Sequence, residues 1–164
     1  MNIYRKTVIL LIFLSFVILS YTENEFLSEL TTQLVAAVLS YFVGIIPATA
    51  GNILFLKMDD QIVPILITFG CTGFMFISVY TLIMFVMPGI SLKHRLISLL
   101  VLPVIYLSNI ARVVVGIMLG VHTNIPLMVL FHDTVGQVFV FIFMTGMLLI
   151  FLNIFGYIKL RRSL

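Results

Sequence analysis

The sequence predicts an all-α polytopic membrane protein, with about four or five membrane helices and a short extracytoplasmic β-hairpin ahead of the helix that carries its only cysteine. Three observations carry that reading. Apolar residues fill 62% of the 164 positions and charged residues only 9%, and the mean hydropathy of +1.27 lies far above that of soluble domains. The apolar residues fall in runs near the length that crosses a bilayer, and most of the charges sit between the runs. No stretch is left over for a separate soluble domain, so residues 1–164 read as one integral membrane domain.

The first apolar run, Thr7 to Tyr21, follows Arg5 and Lys6 and precedes the acidic stretch "TENE". No small-x-small cleavage pattern ends it, so it reads as an uncleaved anchor, with a removed signal peptide as the lesser alternative. From Glu29 to Ile46 the residues Leu30, Leu34, Val38, Phe42 and Ile45 recur at helical spacing, while Thr31, Thr32 and Gln33 dilute the early turns. Residues 1–44 thus hold an anchor and an interfacial or membrane helix. After Gly44 and Pro47, "NILFLKMDDQIVPILITFG" reads as two short β runs around a Met58-Asp59-Asp60 turn, with Pro64 admissible only on an edge strand. Three stronger spans follow, about Thr72 to Met87, Leu96 to Leu119 and Val135 to Ile158.

Lys and Arg are retained on the cytoplasmic side, which places Lys93 and Arg95, and the basic tail 159–164 with Lys159, Arg161 and Arg162, inside the cell. The loop 120–134 and the N-terminal end of the cysteine helix are then outside, as are Glu23, Glu25, Glu29, Asp59, Asp60 and Asp133. With a cytoplasmic N-terminus, the Glu29 to Ile46 helix cannot make one full crossing. Its threonines and glutamine favour an interfacial or re-entrant position; a cytoplasmic hairpin or an external N-terminus would let it cross.

The net charge of +3 follows from that same retention of cations and does not call for nucleic acid as a partner. A single cysteine forms no internal disulfide and leaves one thiol to account for. No His, Cys and carboxylate set has metal-ligand spacing and no glycine-rich phosphate loop occurs, so neither a metal nor another cofactor is expected.

Arg112, in "SNIARVVVG", lies about 10 Å from the outer end of its span. It stays charged there, so it should face an interior partner or water, with snorkelling to the outer surface as the bland alternative. Asn109 and Gly116 share its helical face, with Ser108 nearby. Gly116 would let another helix approach, and Asn109 can hydrogen-bond the guanidinium or a substrate carbonyl, although helix packing alone would explain both.

His132, in "LFHDTVGQ", has the chemistry of a proton carrier, while Asp133 reads by default as the N-cap of the final helix. Cys71, in "TFGCTGF", stands at a helix N-terminus that favours a thiolate, and Gly70 and Gly73 would allow close backbone approach. A lone membrane cysteine is usually an inert small hydrophobe. Together, however, Cys71, Arg112 and His132 supply a nucleophile, a fixed cation for an oxyanion and a base on one side of the membrane. His94 belongs with the cytoplasmic cations, and His122 lies in the outer loop with nothing to fix a role.

"FGCTGF", "NIARVVVG" and "FHDTVG", in that order on successive segments, resemble the exosortase/archaeosortase family of membrane-embedded transpeptidases. That family pairs a Gly-Cys-Ser/Thr-Gly-like motif with Asn-x-x-Arg in the following helix and a His or Arg opening a later one. The resemblance covers roughly residues 45 to 157 and departs from typical members in having fewer spans. It implies a catalytic core over 45–158 with Cys71, Arg112 and His132 catalytic, in a multi-pass protein of a prokaryotic cell membrane with its site on the extracytoplasmic side. The implied substrate is a secreted or surface protein with a C-terminal sorting signal made of a short motif, an apolar helix and a basic tail. Cys71 would form a thioester that a lipid or another acceptor releases, and the fewer spans leave room for an accessory subunit or oligomer.

Two other classes fit the residues without that resemblance. In a small transporter or channel subunit, Asn109 and Arg112 would line a polar path. In a structural assembly subunit, the same stripe would hold helices together.

Overall fold

The computed structural model describes Tyr4, residues 7–9, 11, 14–15, 18, 25–58 and 61–154. The expected anchor over Thr7 to Tyr21 is described only at scattered positions, which are helical; Glu23, the Asp59-Asp60 turn and the tail 159–164 lie outside the described residues.

Helix α1 (Glu25–Val38) widens into a π turn over Leu39–Val43 and stops at Gly44, whose φ of 77° only glycine adopts easily. The threonines that favour an interfacial position are turned inward instead. Thr31 and Thr32 are fully buried. Their hydroxyls donate to the carbonyls of Leu27 and Ser28 one turn back, at 2.7 and 2.8 Å, so they need no water. Thr31 Oγ1 also lies 3.1 Å from the Tyr106 hydroxyl. By length and composition Glu25–Val43 is one of three described helical stretches able to cross a membrane, with Leu92–His122 and Ile125–Ile154.

The expected hairpin is part of a three-stranded antiparallel sheet, β1 (Ala48–Ala50), β2 (Ile53–Met58) and β3 (Gln61–Leu66), in the order β1-β2-β3. Strand β1 escaped sequence reading because its three residues, "ATA", are too short and too small to show a period. In β2 the alternate residues Leu54, Leu56 and Met58 are buried, as a half-buried strand requires. Pro64 stands on edge strand β3 opposite Phe55, where its missing N–H costs no ladder bond.

Helix α2 (Phe74–Val86) is shorter than the predicted span from Thr72 to Met87. Helix α3 (Leu92–Ser98) passes through a 3-10 turn at Leu99–Val101 into α4 (Leu102–His122), so this stretch is longer at both ends than Leu96 to Leu119. The final stretch begins ten positions earlier than Val135: α5 (Ile125–Leu130) runs through a π turn (Phe131–Val135) into α6 (Gly136–Ile154). The Asn124 side chain caps it by accepting the Leu127 N–H at 2.9 Å, and Pro126 suits the first turn. Asp133 is therefore not an N-cap, because the helix has already started.

Two apolar clusters form the interior, and α4 contributes to both. One joins Val35 of α1, Leu39 of the π turn that follows it, Leu54 and Leu56 of β2, Ile67, Cys71, and Ile110, Val113 and Ile117 of α4. The other joins Tyr80 and Met84 of α2, Ile105 of α4, and Met144, Phe151 and Leu152 of α6. Within a bilayer such contacts gain van der Waals packing rather than release of water, so close fit decides them. Gly120 shows this: a Cβ there would stand 2.8 Å from the Met128 sulfur of α5.

Arg95 closes the turn that follows α2. Its guanidinium donates to the carbonyls of Phe85, Met87 and Ile90 at 2.7, 3.0 and 3.1 Å, satisfying the C-terminal end of α2 and closing the turn into α3. Replacing Arg95 with Ala is expected to cost about 1.5–3 kcal/mol, and Arg95→Lys to recover only part of it, because lysine lacks the planar fork. Thermal unfolding in detergent measures this; equal midpoints for all three proteins would reduce Arg95 to a surface charge.

Candidate active site

Cys71 lies in a single 3-10 turn, Phe69–Thr72, between β3 and α2, outside the membrane-spanning helices. The turn is set locally. The Cys71 N–H donates to the Thr68 carbonyl at 2.9 Å. The Thr72 hydroxyl donates to the Phe69 carbonyl at 2.7 Å and accepts the Phe74 N–H at 3.3 Å. Gly73 then turns the chain into α2 with a φ of 73°. A Cβ at Gly73 would also stand 2.7 Å from Cγ of Asn109, so this position needs glycine twice over.

Asn109 uses that space. Its Nδ2 donates to the Cys71 carbonyl at 2.6 Å, which ties the cysteine turn to the middle of α4. Asn109 thus holds the backbone of Cys71, and its Oδ1 is buried with no partner among the described residues.

The Cys71 thiol is 6% exposed, and its Sγ lies 3.3 Å from Nε2 of His132 and 3.5 Å from Oγ1 of Thr68. His132 Nδ1 is in turn 2.8 Å from Oδ1 of Asp133. Asp133 so takes the role of fixing the imidazole: it accepts from Nδ1 and leaves Nε2 toward the sulfur, the order of a nucleophile, base and orienting carboxylate. The π turn carries both residues, and its extra residue re-aims side chains within a continuous helix. Burial pushes the Cys71 thiol up, but the hydrogen bonds to His132 and Thr68 and the charge of His132 outweigh it, leaving the thiol below its ordinary value.

Arg112 follows Asn109 on the inner face of α4, is 2% exposed, and has no hydrogen-bond partner at Nε, Nη1 or Nη2 among the described residues. Its field reaches Cys71 and Asp133. An unpaired buried guanidinium is costly to keep. Gly136 makes the room: a Cβ there would stand 2.6 Å from Cγ of Arg112.

A cleft of about 150 Å³ opens beside the sulfur between the end of β3, α4, α5 and the π turn, lined mainly by apolar residues with Cys71, His132 and Asp133 as its polar groups. Gly116 lines it too, and a Cβ there would meet Phe131 and His132 only at ordinary contact distance. Arg112 is not among the lining residues.

The structure therefore brings together Cys71, Arg112, His132, Asn109, Gly73, Gly116 and Asp133. Gly70 is the exception: it is exposed, and a Cβ there would meet nothing closer than Thr68 Oγ1 at 3.7 Å. His122 is exposed at the end of α4 and does not line the cleft. Thr68 and Gly136 escaped sequence reading. The signal for Thr68 was its place three residues before the cysteine; Gly136 carried none, because its role rests on its distance to Arg112.

Gly73→Ala is expected to cost at least about 1–2 kcal/mol from the left-handed backbone alone and to displace Asn109, whereas Gly70→Ala should be neutral. Unfolding midpoints and iodoacetamide labelling of Cys71 compare the two; equal behaviour would remove the special standing of Gly73.

No curated protein and no solved structure matches the chain. The family model for the transmembrane exosortase (Exosortase_EpsH) matches residues 2–152, taking in the N-terminal segments as well as the region around Cys71, Arg112 and His132. A match over nearly the whole chain, with the motifs in order along it, means that the chain belongs to the transmembrane exosortase family.

Proposed function

We propose that this chain is a membrane cysteine transpeptidase that cleaves the C-terminal sorting signal of secreted or surface proteins and passes the product to a lipid or another acceptor. The observation that carries the reading is the 3.3 Å approach of Cys71 Sγ to His132 Nε2, with Asp133 on the far nitrogen. A transporter or an assembly subunit has no use for that alignment.

In the proposed reaction the Cys71 thiolate attacks the scissile carbonyl, forming a C–S bond and an oxyanion. The C–N bond then breaks, the leaving amine takes the proton held on His132 Nε2, and a thioester remains on Sγ. An incoming amine or hydroxyl loses its proton to the same nitrogen, attacks the thioester and releases the thiolate. Arg112 supplies fixed positive charge near the sulfur, which favours the thiolate and the oxyanion over their neutral forms. Asn109 holds the Cys71 carbonyl so that the sulfur keeps its direction. The extracytoplasmic placement rests on Lys93 and Arg95 at the opposite end of α2, and the prokaryotic cell membrane on the family.

Cys71→Ala is expected to abolish processing, and His132→Ala and Arg112→Ala each to slow it by about 100-fold or more. Mass spectrometry of the secreted and membrane fractions would show precursors accumulating with intact C-terminal tails. Full processing by Cys71→Ala would sink the proposal.

The pH dependence follows from the depressed thiol. Iodoacetamide labelling of Cys71 should rise with pH through a midpoint below about 8.5, since the thiolate persists to lower pH than in a free cysteine. His132→Ala removes the hydrogen bond and the charge but leaves most of the burial, so its midpoint should move upward. A midpoint that stays put in His132→Ala would count against the pair.

A further inference from the structure

The sheet has an unused edge at the cleft. Among the described residues nothing pairs with β3 on the side away from β2. The direction of its peptide groups follows from one hydrogen bond: the Ile67 N–H donates to the Asn52 carbonyl at 2.9 Å, so Ile67 faces across the ladder. Alternate residues of an antiparallel strand turn their N–H and C=O to opposite sides. Ile65 and Val63 therefore face β2 as Ile67 does, and Leu66, Pro64 and Ile62 face outward. Pro64 agrees with this assignment, since it could not donate to β2.

Pro64 also limits what the edge can do. It offers a carbonyl and no N–H, which blunts the edge between Ile62 and Leu66. Leu66 keeps both groups, is 56% exposed, and lines the same cleft as Cys71 and His132. An open peptide group of the sheet thus borders the cleft that holds the thiol.

We infer that an extended segment of the protein substrate adds to the sheet as a fourth strand at the outward-facing N–H and C=O of Leu66, which lays its scissile bond in the cleft at Cys71. The inference rests on the proposed function, because it takes a peptide to be the substrate. Recognition through backbone groups is indifferent to most side chains. It also straightens the peptide, and an extended chain presents its carbonyl to a nucleophile more openly than a helix whose carbonyls are already bonded. An apolar sorting helix would have to stop, and the chain unwind, before this edge.

The test uses peptide reagents on the full chain in detergent or nanodiscs. Acetyl-tetraalanyl vinyl sulfone and acetyl-alanyl vinyl sulfone carry the same warhead, which adds to Sγ, on a long and a short backbone. The expected result is faster labelling of Cys71 by the long reagent. N-methylation along it should remove the advantage with a period of two, each sensitive position losing about fivefold for one backbone hydrogen bond. Leu66→Pro, which removes the outward N–H as the natural proline does at 64, should lower the long-to-short ratio similarly. Iodoacetamide labelling of each protein reports whether the thiol is still activated.

If iodoacetamide finds an inert Cys71 in the wild type, the catalytic reading fails and takes this inference with it. If Cys71 is reactive but the long reagent has no advantage, or loses it without periodicity, strand addition alone is overturned. A dimer in detergent that Leu66→Pro dissociates, with the reagent ratio unchanged, would assign the edge to a second copy and overturn it too. Should Leu66→Pro depress iodoacetamide labelling as well, the N-methyl series on the wild type decides.

Discussion

The hydrogen bond from Asn109 to the Cys71 carbonyl ties the cysteine turn to the helix on which the interior is built. Cys71 stands in a turn of four residues, too short to hold a direction by itself, and Asn109 stands in the middle of the helix that enters both apolar clusters. The contact is possible only because Gly73 has no side chain where the amide passes. Once the turn is fixed to α4, the cysteine inherits the position of that helix, and so does everything measured from the cysteine. The imidazole reaches it from the far helix through the π turn, and the sheet ends beside it.

Around that anchor the electrostatics are unbalanced. The described interior holds a guanidinium with no hydrogen-bond partner, an amide oxygen with none, and a thiol whose burial is overcome by a histidine. Each of these costs stability in an apolar setting, and the guanidinium and the imidazole favour negative charge on the neighbouring sulfur. Packing supplies the compensation: the residues that make room are glycines at 73 and 136, and the surrounding contacts come from Val113, Ile117 and Met128. Structure that is inexpensive to pack surrounds structure that is expensive to keep.

The sheet is a small addition to a helical protein, yet it serves the same point. Its inner face, with Leu54 and Leu56, packs under α1 and α4, and this fixes β3 at the mouth of the cleft. The inward turn of Thr31 and Thr32 belongs to the same packing, since Thr31 meets Tyr106 of α4. A polar helix face that resembles a headgroup surface in one dimension is here a face satisfied by its own carbonyls.

The residues themselves determined the class. Composition requires a membrane setting, and the spacing of Asn109, Arg112 and Gly116 puts them on one face, which is buried as expected. Pro64 restricts β3 to an edge, and Cys71, Arg112 and His132 stand out by side-chain type alone. These are local facts, fixed by side-chain chemistry and by the 3.6- and 2-residue periods. Only the tertiary structure decided that Asp133 meets His132 rather than capping a helix, that Gly73 and not Gly70 has no room for a side chain, that Gly136 leaves space for Arg112, and that Thr31 and Thr32 face inward. Each of these depends on a distance between elements, or on where a neighbouring turn begins, and such distances are set by packing that no local period records.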